Sequence, residues 1–204
     1  MPTLLHIDSS MWPSGASASR DVTATFREEW EAQHPHGTVI YRDLAVEPLP
    51  HITGGVFTAG DEDPLRATLA SELEQADVVL IAAPMYNLTV PSTLKAWIDQ
   101  VMIAGRTIGE RPSAAGTPVV VVSSRGGSYR PGTPRDGWDF VVPYLTTLLA
   151  GYFGITEVEF IIPELTSVPK RASKPELIPL YEASRAQAHE DAVAKAKTLA
   201  ARFA

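Results

Sequence analysis

The chain has 204 residues, 45% of them hydrophobic and 20% charged, and a formal net charge of -7 at pH 7. This balance excludes a fibrous repeat or a disordered polymer, suits a single domain over residues 1–204, and argues against nucleic acid, whose phosphates need clustered Lys and Arg. There is no cysteine, which excludes disulfides and thiol nucleophiles. The amino terminus shows no basic and apolar leader and no run is long enough to span a bilayer, so a cytoplasmic protein with no membrane attachment is expected.

In chain order, Thr3 to Ile7 reads as a short strand carrying His6, and it feeds a hydroxyl-rich loop from Asp8 to Arg20. Val22, Phe26 and Trp30 are spaced by four and predict a helix whose amino end falls at Ser17 to Ser19, where serine is a favoured cap. Val39 to Tyr41 is a second strand. The stretch from Asp43 through Gly60 holds Pro48, Pro50, Gly54 and Gly55 and is expected to be mostly loop. Pro64 opens a helix with Leu65, Leu69 and Leu73 on one face.

Val78 to Ala83 is an unbroken apolar run of strand length, the mark of a parallel strand buried on both faces. Pro84 closes it, and Met85-Tyr86-Asn87-Leu88 follows. Leu94, Trp97, Ile98, Val101 and Met102 then mark one face of a helix with Pro91 in its first turn. Pro118 to Val122 is a fourth strand that breaks into the loop Ser123 to Tyr129. A helix from Trp138 to Phe153 is expected to stop at Gly154. Val158 to Ile162 is a fifth strand. After a loop rich in Pro and Lys, Leu177, Tyr181, Ala188, Ala192, Leu199 and Phe203 draw a stripe along a final helix whose charged residues read as a solvated face.

Five short strands separated by helices predict an α/β fold: a doubly wound five-stranded parallel sheet of order 2-1-3-4-5, with helices on both faces. Ligands bind such sheets outside the carboxyl ends of the strands, where the loops after strands one, three and four converge.

Each loop has a ligand reading and a plain one. Ser10, Ser17, Ala18 and Ser19 offer hydroxyls and free N–H groups at a helix start, which suits one monophosphate, although Ser17 and Ser19 also serve as simple caps. No Gly-Lys-Ser/Thr follows and no Gly-x-Gly-x-x-Gly is present, which disfavours triphosphates and the usual dinucleotide mode. Met85, Tyr86, Asn87 and Leu88 suit the edge and face of a flat aromatic ligand, or else fill a loop with Met85 as a core plug. Ser124, Arg125, Gly126 and Gly127 allow close backbone approach, or make an ordinary turn. His6, His34, His36, His51 and His189 show no metal-ligand spacing, so no metal and no histidine role is assigned. The convergence of three such loops favours a ligand site.

Ser10 with Ser17-Ala18-Ser19, Pro84-Met85-Tyr86-Asn87, Leu94-Lys95 with Trp97-Ile98-Asp99, Ser124-Arg125-Gly126-Gly127, and Tyr144-Leu145 to Gly154-Ile155 form a pattern. Over nearly the whole chain it resembles the FMN-dependent NADH-azoreductases. The resemblance implies a flavodoxin-like fold, a homodimer and noncovalent FMN. It implies two-electron transfer from NADH or NADPH to a quinone or azo compound, with the flavin carrying the chemistry and no catalytic side chain. By motif it implies Ser10, Ser17, Ala18 and Ser19 for the phosphate, and Met85, Tyr86, Asn87, Leu88, Ser124, Arg125, Gly126 and Gly127 for the ring. Leu88 stands where an aromatic residue is common in the relatives, and the serine loop is one residue longer, with Trp12 inside it.

Two other readings keep the fold: a flavodoxin-type single-electron carrier, and a related NADPH-dependent FMN reductase. The final helix and the segment around Trp138 favour an enzyme with a built-up pocket over a compact carrier, and Trp12, Tyr129, Trp138 and Tyr152 near the loops favour a dimer. If the loops cover one ring face, donor and acceptor share the other, which predicts ping-pong kinetics.

Overall fold

The computed structural model describes residues 1–170 and 174–203; part of the Pro- and Lys-rich loop before the final helix lies outside the described residues. The elements are β1 (Thr3–Asp8), α1 (Ala18–Gln33), β2 (Thr38–Asp43), α2 (Gly54–Ala59), α3 (Pro64–Gln75), β3 (Val78–Ala82), α4 (Ser92–Val101), β4 (Val119–Val122), α5 (Val141–Gly151), β5 (Val158–Ile161) and α6 (Ile178–Ala200). The five strands pair in parallel in the expected order, β2-β1-β3-β4-β5. No helix among the described residues is long and apolar enough to cross a membrane.

The unbroken apolar runs follow from burial on both sheet faces. Leu4, Val78, Leu80, Val120 and Val122 pack against Val22, Phe26 and Trp30 of α1 and the alanines Ala188, Ala192 and Ala196 of α6. Their neighbours Leu5, Ile7, Val79, Ile81, Val119 and Val121 turn the other way, onto Leu69 and Leu73 of α3, Leu94 and Trp97 of α4, and Leu145 and Leu149 of α5. Successive side chains alternate faces, so β3 and β4, covered on both sides, are apolar at both phases.

The structure adds one short helix and corrects one boundary. The segment from Asp43 to Gly60 is not all loop: Gly54–Ala59 forms α2, entered by Thr53, whose hydroxyl accepts the Val56 N–H at 3.4 Å. The buried Arg66 of α3 anchors it, donating to the carbonyls of Val56 and Phe57 at 3.0 and 3.2 Å and to those of Gln100 and Met102 at 2.9 and 2.6 Å. These are helix-end carbonyls that would otherwise lack partners. α5 starts at Val141 and not at Trp138, because the Asp139 carboxylate accepts the N–H groups of Val141 and Val142 at 2.9 and 3.3 Å. It ends at Gly151, and Gly154, at φ +66°, turns the chain toward β5.

The carboxyl ends of β1 and β2 are locked to the start of α1. Arg20, buried in the first turn of α1, donates twice to Asp43 at 2.7 Å, once to Asp8 at 3.2 Å, and to the Ser10 carbonyl at 2.8 Å. The Tyr41 hydroxyl donates to Asp8 at 2.8 Å, and His6 Nε2 lies 3.4 Å from the same carboxylate. Burial pushes the Asp8 carboxyl up, but the His6, Tyr41 and Arg20 contacts outweigh it and hold it below the ordinary carboxylate value. Burial likewise opposes ionisation of Asp43, and the Arg20 hydrogen bonds with the N–H groups of Ala45 and Val46 prevail.

Both acids ionise more readily folded than unfolded. Their stabilisation is complete above the ordinary carboxylate range and is lost as pH falls through the lowered folded values. Asp43→Asn is expected to cost about 1–3 kcal/mol at neutral pH. The difference in urea-unfolding stability between wild type and variant should shrink on going from about pH 7 to about pH 3; an equal difference at both would refute the assignment.

Candidate active site

Three strand-end loops meet at the carboxyl edge of the sheet, as expected, and a fourth joins them. In the first loop the hydroxyls of Ser10, Ser17 and Ser19 form a chain: Ser17 donates to Ser10 at 2.8 Å and lies 3.2 Å from Ser19 Oγ. Ser17 also caps α1 by accepting the Arg20 N–H at 3.4 Å. Gly15, at φ +77°, and Ala16 and Ala18 keep bulk away from this helix end. The capping and ligand readings are therefore compatible, since Ser17 caps the helix through its oxygen and still lines the cleft beside Ser10 and Ala18.

After β3, Tyr86 and Thr89 exchange backbone hydrogen bonds of 2.9 and 3.2 Å around Asn87 and Leu88, which have φ of 48° and 72°. This is a two-residue hairpin with both central residues left-handed, a conformation that β-turns usually give to Asn or Gly. The Leu88 carbonyl accepts the Phe140 N–H at 3.1 Å. The Tyr86 hydroxyl reaches the first loop, 3.0 Å from Ser10 Oγ, and accepts the Met11 N–H at 3.3 Å.

After β4, the Arg125 side chain turns inward. It donates to the Ser123 carbonyl and hydroxyl at 2.7 and 2.9 Å and pairs with Asp139. Its backbone is held by the loop after β5: Arg125 N–H donates to Pro163 at 2.8 Å, and Thr166 N–H donates to the Arg125 carbonyl at 3.0 Å. Ser167 Oγ donates to the Gly126 carbonyl at 2.5 Å.

Between these loops lies a cleft of about 370 Å³, within the size range of small-molecule sites. Of the residues singled out from sequence, Ser10, Ser17, Ala18, Met85, Tyr86, Ser124 and Gly126 line it. Ser19 is fully buried behind Ser17. Asn87 opens on a second cleft of about 600 Å³ on the far side of Tyr86. Gly127 borders a third, of about 750 Å³, where a side chain in its place would meet Arg135 at 2.8 Å. Leu88 and Arg125 line none of these three clefts.

Sequence reasoning missed one wall. Tyr181, Arg185 and His189 of α6 also line the cleft, beside Thr166 and Ser167. Their spacing of four was legible, but the apolar stripe of the same helix drew the reading away from it. His189 Nδ1 lies 2.8 Å from Thr25 Oγ1. Burial, and then the charge of Arg185, hold its pKa below the ordinary imidazole value against the opposing pull of Asp21. Asp21 accepts the Gly15 N–H at 2.8 Å and so shapes the serine loop.

A family model described as a flavodoxin-like fold matches residues 2–192. The FMN-dependent NADH:quinone oxidoreductase of Streptomyces coelicolor is 58% identical, with 100% of this chain and 97% of that protein covered. A protein of the same name from Frankia alni is 42% identical over 91% of this chain and 94% of its own. Among solved structures, an azoreductase from Bacillus anthracis str. Sterne has a TM-score of 0.81 at 24% identity, with 97% of this chain and 100% of the other covered. An FMN-dependent NADH-azoreductase from Bacillus anthracis str. Ames Ancestor, in complex with FMN, has a TM-score of 0.81 at 20% identity, covering 98% and 100%. At those identities the structural likeness is one of fold, whereas the sequence relatives carry the family. The chain belongs to the flavodoxin-like family of the FMN-dependent NADH:quinone oxidoreductases.

Proposed function

We propose that this protein is an FMN-dependent oxidoreductase that passes two electrons from NADH to a quinone or an azo compound, working in the cytoplasm as a homodimer of single-domain chains. The observation that carries this reading is the junction, in one cleft, of a serine cluster at a helix start with the Met85 and Tyr86 wall. The naming of the relatives supports it.

The residues present fit FMN. Ser10 and Ser17 supply short hydroxyl donors, and Ala18 supplies a backbone N–H with no bulk at the positive end of α1, which suits a phosphate. Ser19 backs Ser17 and fixes its rotamer. Met85, Tyr86, Ser124 and Gly126 offer a mixed apolar and polar wall that suits the edge of a flat ring. Asn87 and Leu88 set the turn that aims Tyr86, while Arg125 and Gly127 set the loop that carries Ser124 and Gly126. Bound FMN supplies the hydride chemistry itself. The chain contributes position and exclusion of water, and no side chain is assigned as acid or base.

Three outcomes are expected. Ser17→Asp places a carboxylate against the phosphate and should raise the FMN dissociation constant at least about tenfold, read by flavin fluorescence; an unchanged constant would sink the phosphate assignment. Because loops and α6 enclose the cleft, donor and acceptor are expected to use its remaining opening in turn. Initial-rate plots should then be parallel for NADH against quinone, whereas intersecting lines would reject the shared opening. The half-exposed Trp12, Trp138, Phe140 and Tyr152 suit an interface. Light scattering at micromolar concentration should return twice the 22.0 kDa chain mass, and a monomer mass would reject the dimer.

A further inference from the structure

The charges around the cleft pose a problem for any phosphate held there. The chain carries a net charge of -7, and the cation nearest the serine loop, Arg20, is committed to Asp8, Asp43 and the Ser10 carbonyl. Arg125 is committed in the same way to Ser123 and Asp139. Among the described residues that line the cleft, Asp21 and Arg185 are the ones charged at neutral pH, with His189 held toward its neutral form. Asp21 adds a negative charge at the rim.

Among the described lining residues, Arg185 is the cation able to offset these charges. It is exposed on α6, one turn from Tyr181 and one from His189, and all three line the same cleft as Ala16, Ser17 and Ala18. Among the described residues it makes no hydrogen bond or ion pair, unlike Arg20, Arg66, Arg106 and Arg125, each held by two or more partners. A guanidinium presents a fixed fork of donors that matches phosphate oxygens.

We infer that Arg185 is a further binding residue for the cofactor's phosphate, closing over the serine loop from α6. This rests on the reading that FMN occupies the cleft. The serine loop supplies neutral donors from one side, and Arg185 supplies the missing positive charge from the other. His189, anchored to Thr25 and kept neutral beside it, completes the wall without competing for the ligand.

The test is a fluorescence titration of the full-length protein, freed of flavin, with FMN and separately with riboflavin, which has the ring but no phosphate. Arg185→Gln should weaken FMN about tenfold at low salt and leave riboflavin unchanged, with the loss shrinking as salt is raised. Arg185→Lys should recover part of the affinity. An unchanged thermal midpoint is expected, because the side chain is exposed and unpaired.

Equal weakening of both flavins, or an unchanged FMN constant, would overturn the inference. So would a raised KM for NADH with FMN binding intact, since the guanidinium would then serve the donor's phosphates. Ser17→Asp run in parallel separates the two levels of argument. If it weakens FMN while Arg185→Gln does not, only the role of Arg185 fails; if neither does, the phosphate site itself is misplaced.

Discussion

Arg20 is the interaction on which the cleft depends. Its guanidinium gathers two carboxylates from adjacent strand ends and the Ser10 carbonyl into one buried cluster at the helix start. Buried charges are tolerated only when paired and hydrogen-bonded, so the guanidinium and its two carboxylates hold one another in place. The cluster therefore fixes the path of the chain between β1 and α1, and the serine hydroxyls inherit their positions from it. The arrangement has a cost: a cation spent on holding the loop is not available to hold a ligand, so the loop relies on neutral donors.

The other walls are built by mutual restraint. Tyr86 hydrogen-bonds from the second loop to the first, Arg125 is clasped by the fourth, and the Leu88 carbonyl takes the Phe140 N–H that leads into α5. Side chains also seal the strand ends: Ser9 donates to the Ala82 carbonyl at 2.6 Å and Ser123 to that of Ala83 at 2.7 Å. Each loop is thus fixed by its neighbour, which suits a site that must be formed before its ligand arrives.

What could be read from the sequence was whatever rests on local pattern. The runs Val78 to Ala83 and Pro118 to Val122 betray their strands because both sheet faces are covered, and the parallel order follows from short strands alternating with helices. The serine loop and the Met85-Tyr86 loop were visible because both follow such strands. What escaped was decided by distant side chains. α2 begins with two glycines and is held because Arg66 donates to its carbonyls. Arg125 points inward because Asp139 lies there to receive it. The α6 wall was hidden since Arg185 and His189 sit among charged residues that normally meet water, and the packing of α6 against α1 brings them to the cleft.

Leu88 illustrates how a residue can set stiffness without setting stability. Its left-handed backbone costs a leucine about 1 kcal/mol that a glycine would be spared. Yet a glycine there would widen the conformational freedom of the unfolded chain, a loss of similar size, about 0.5–1 kcal/mol. The two nearly cancel in the folding equilibrium. What does not cancel is the breadth of the native basin: leucine confines the Asn87-Leu88 turn to one narrow left-handed well, whereas glycine would open several. The turn that aims Tyr86 is thereby kept sharp at almost no thermodynamic expense.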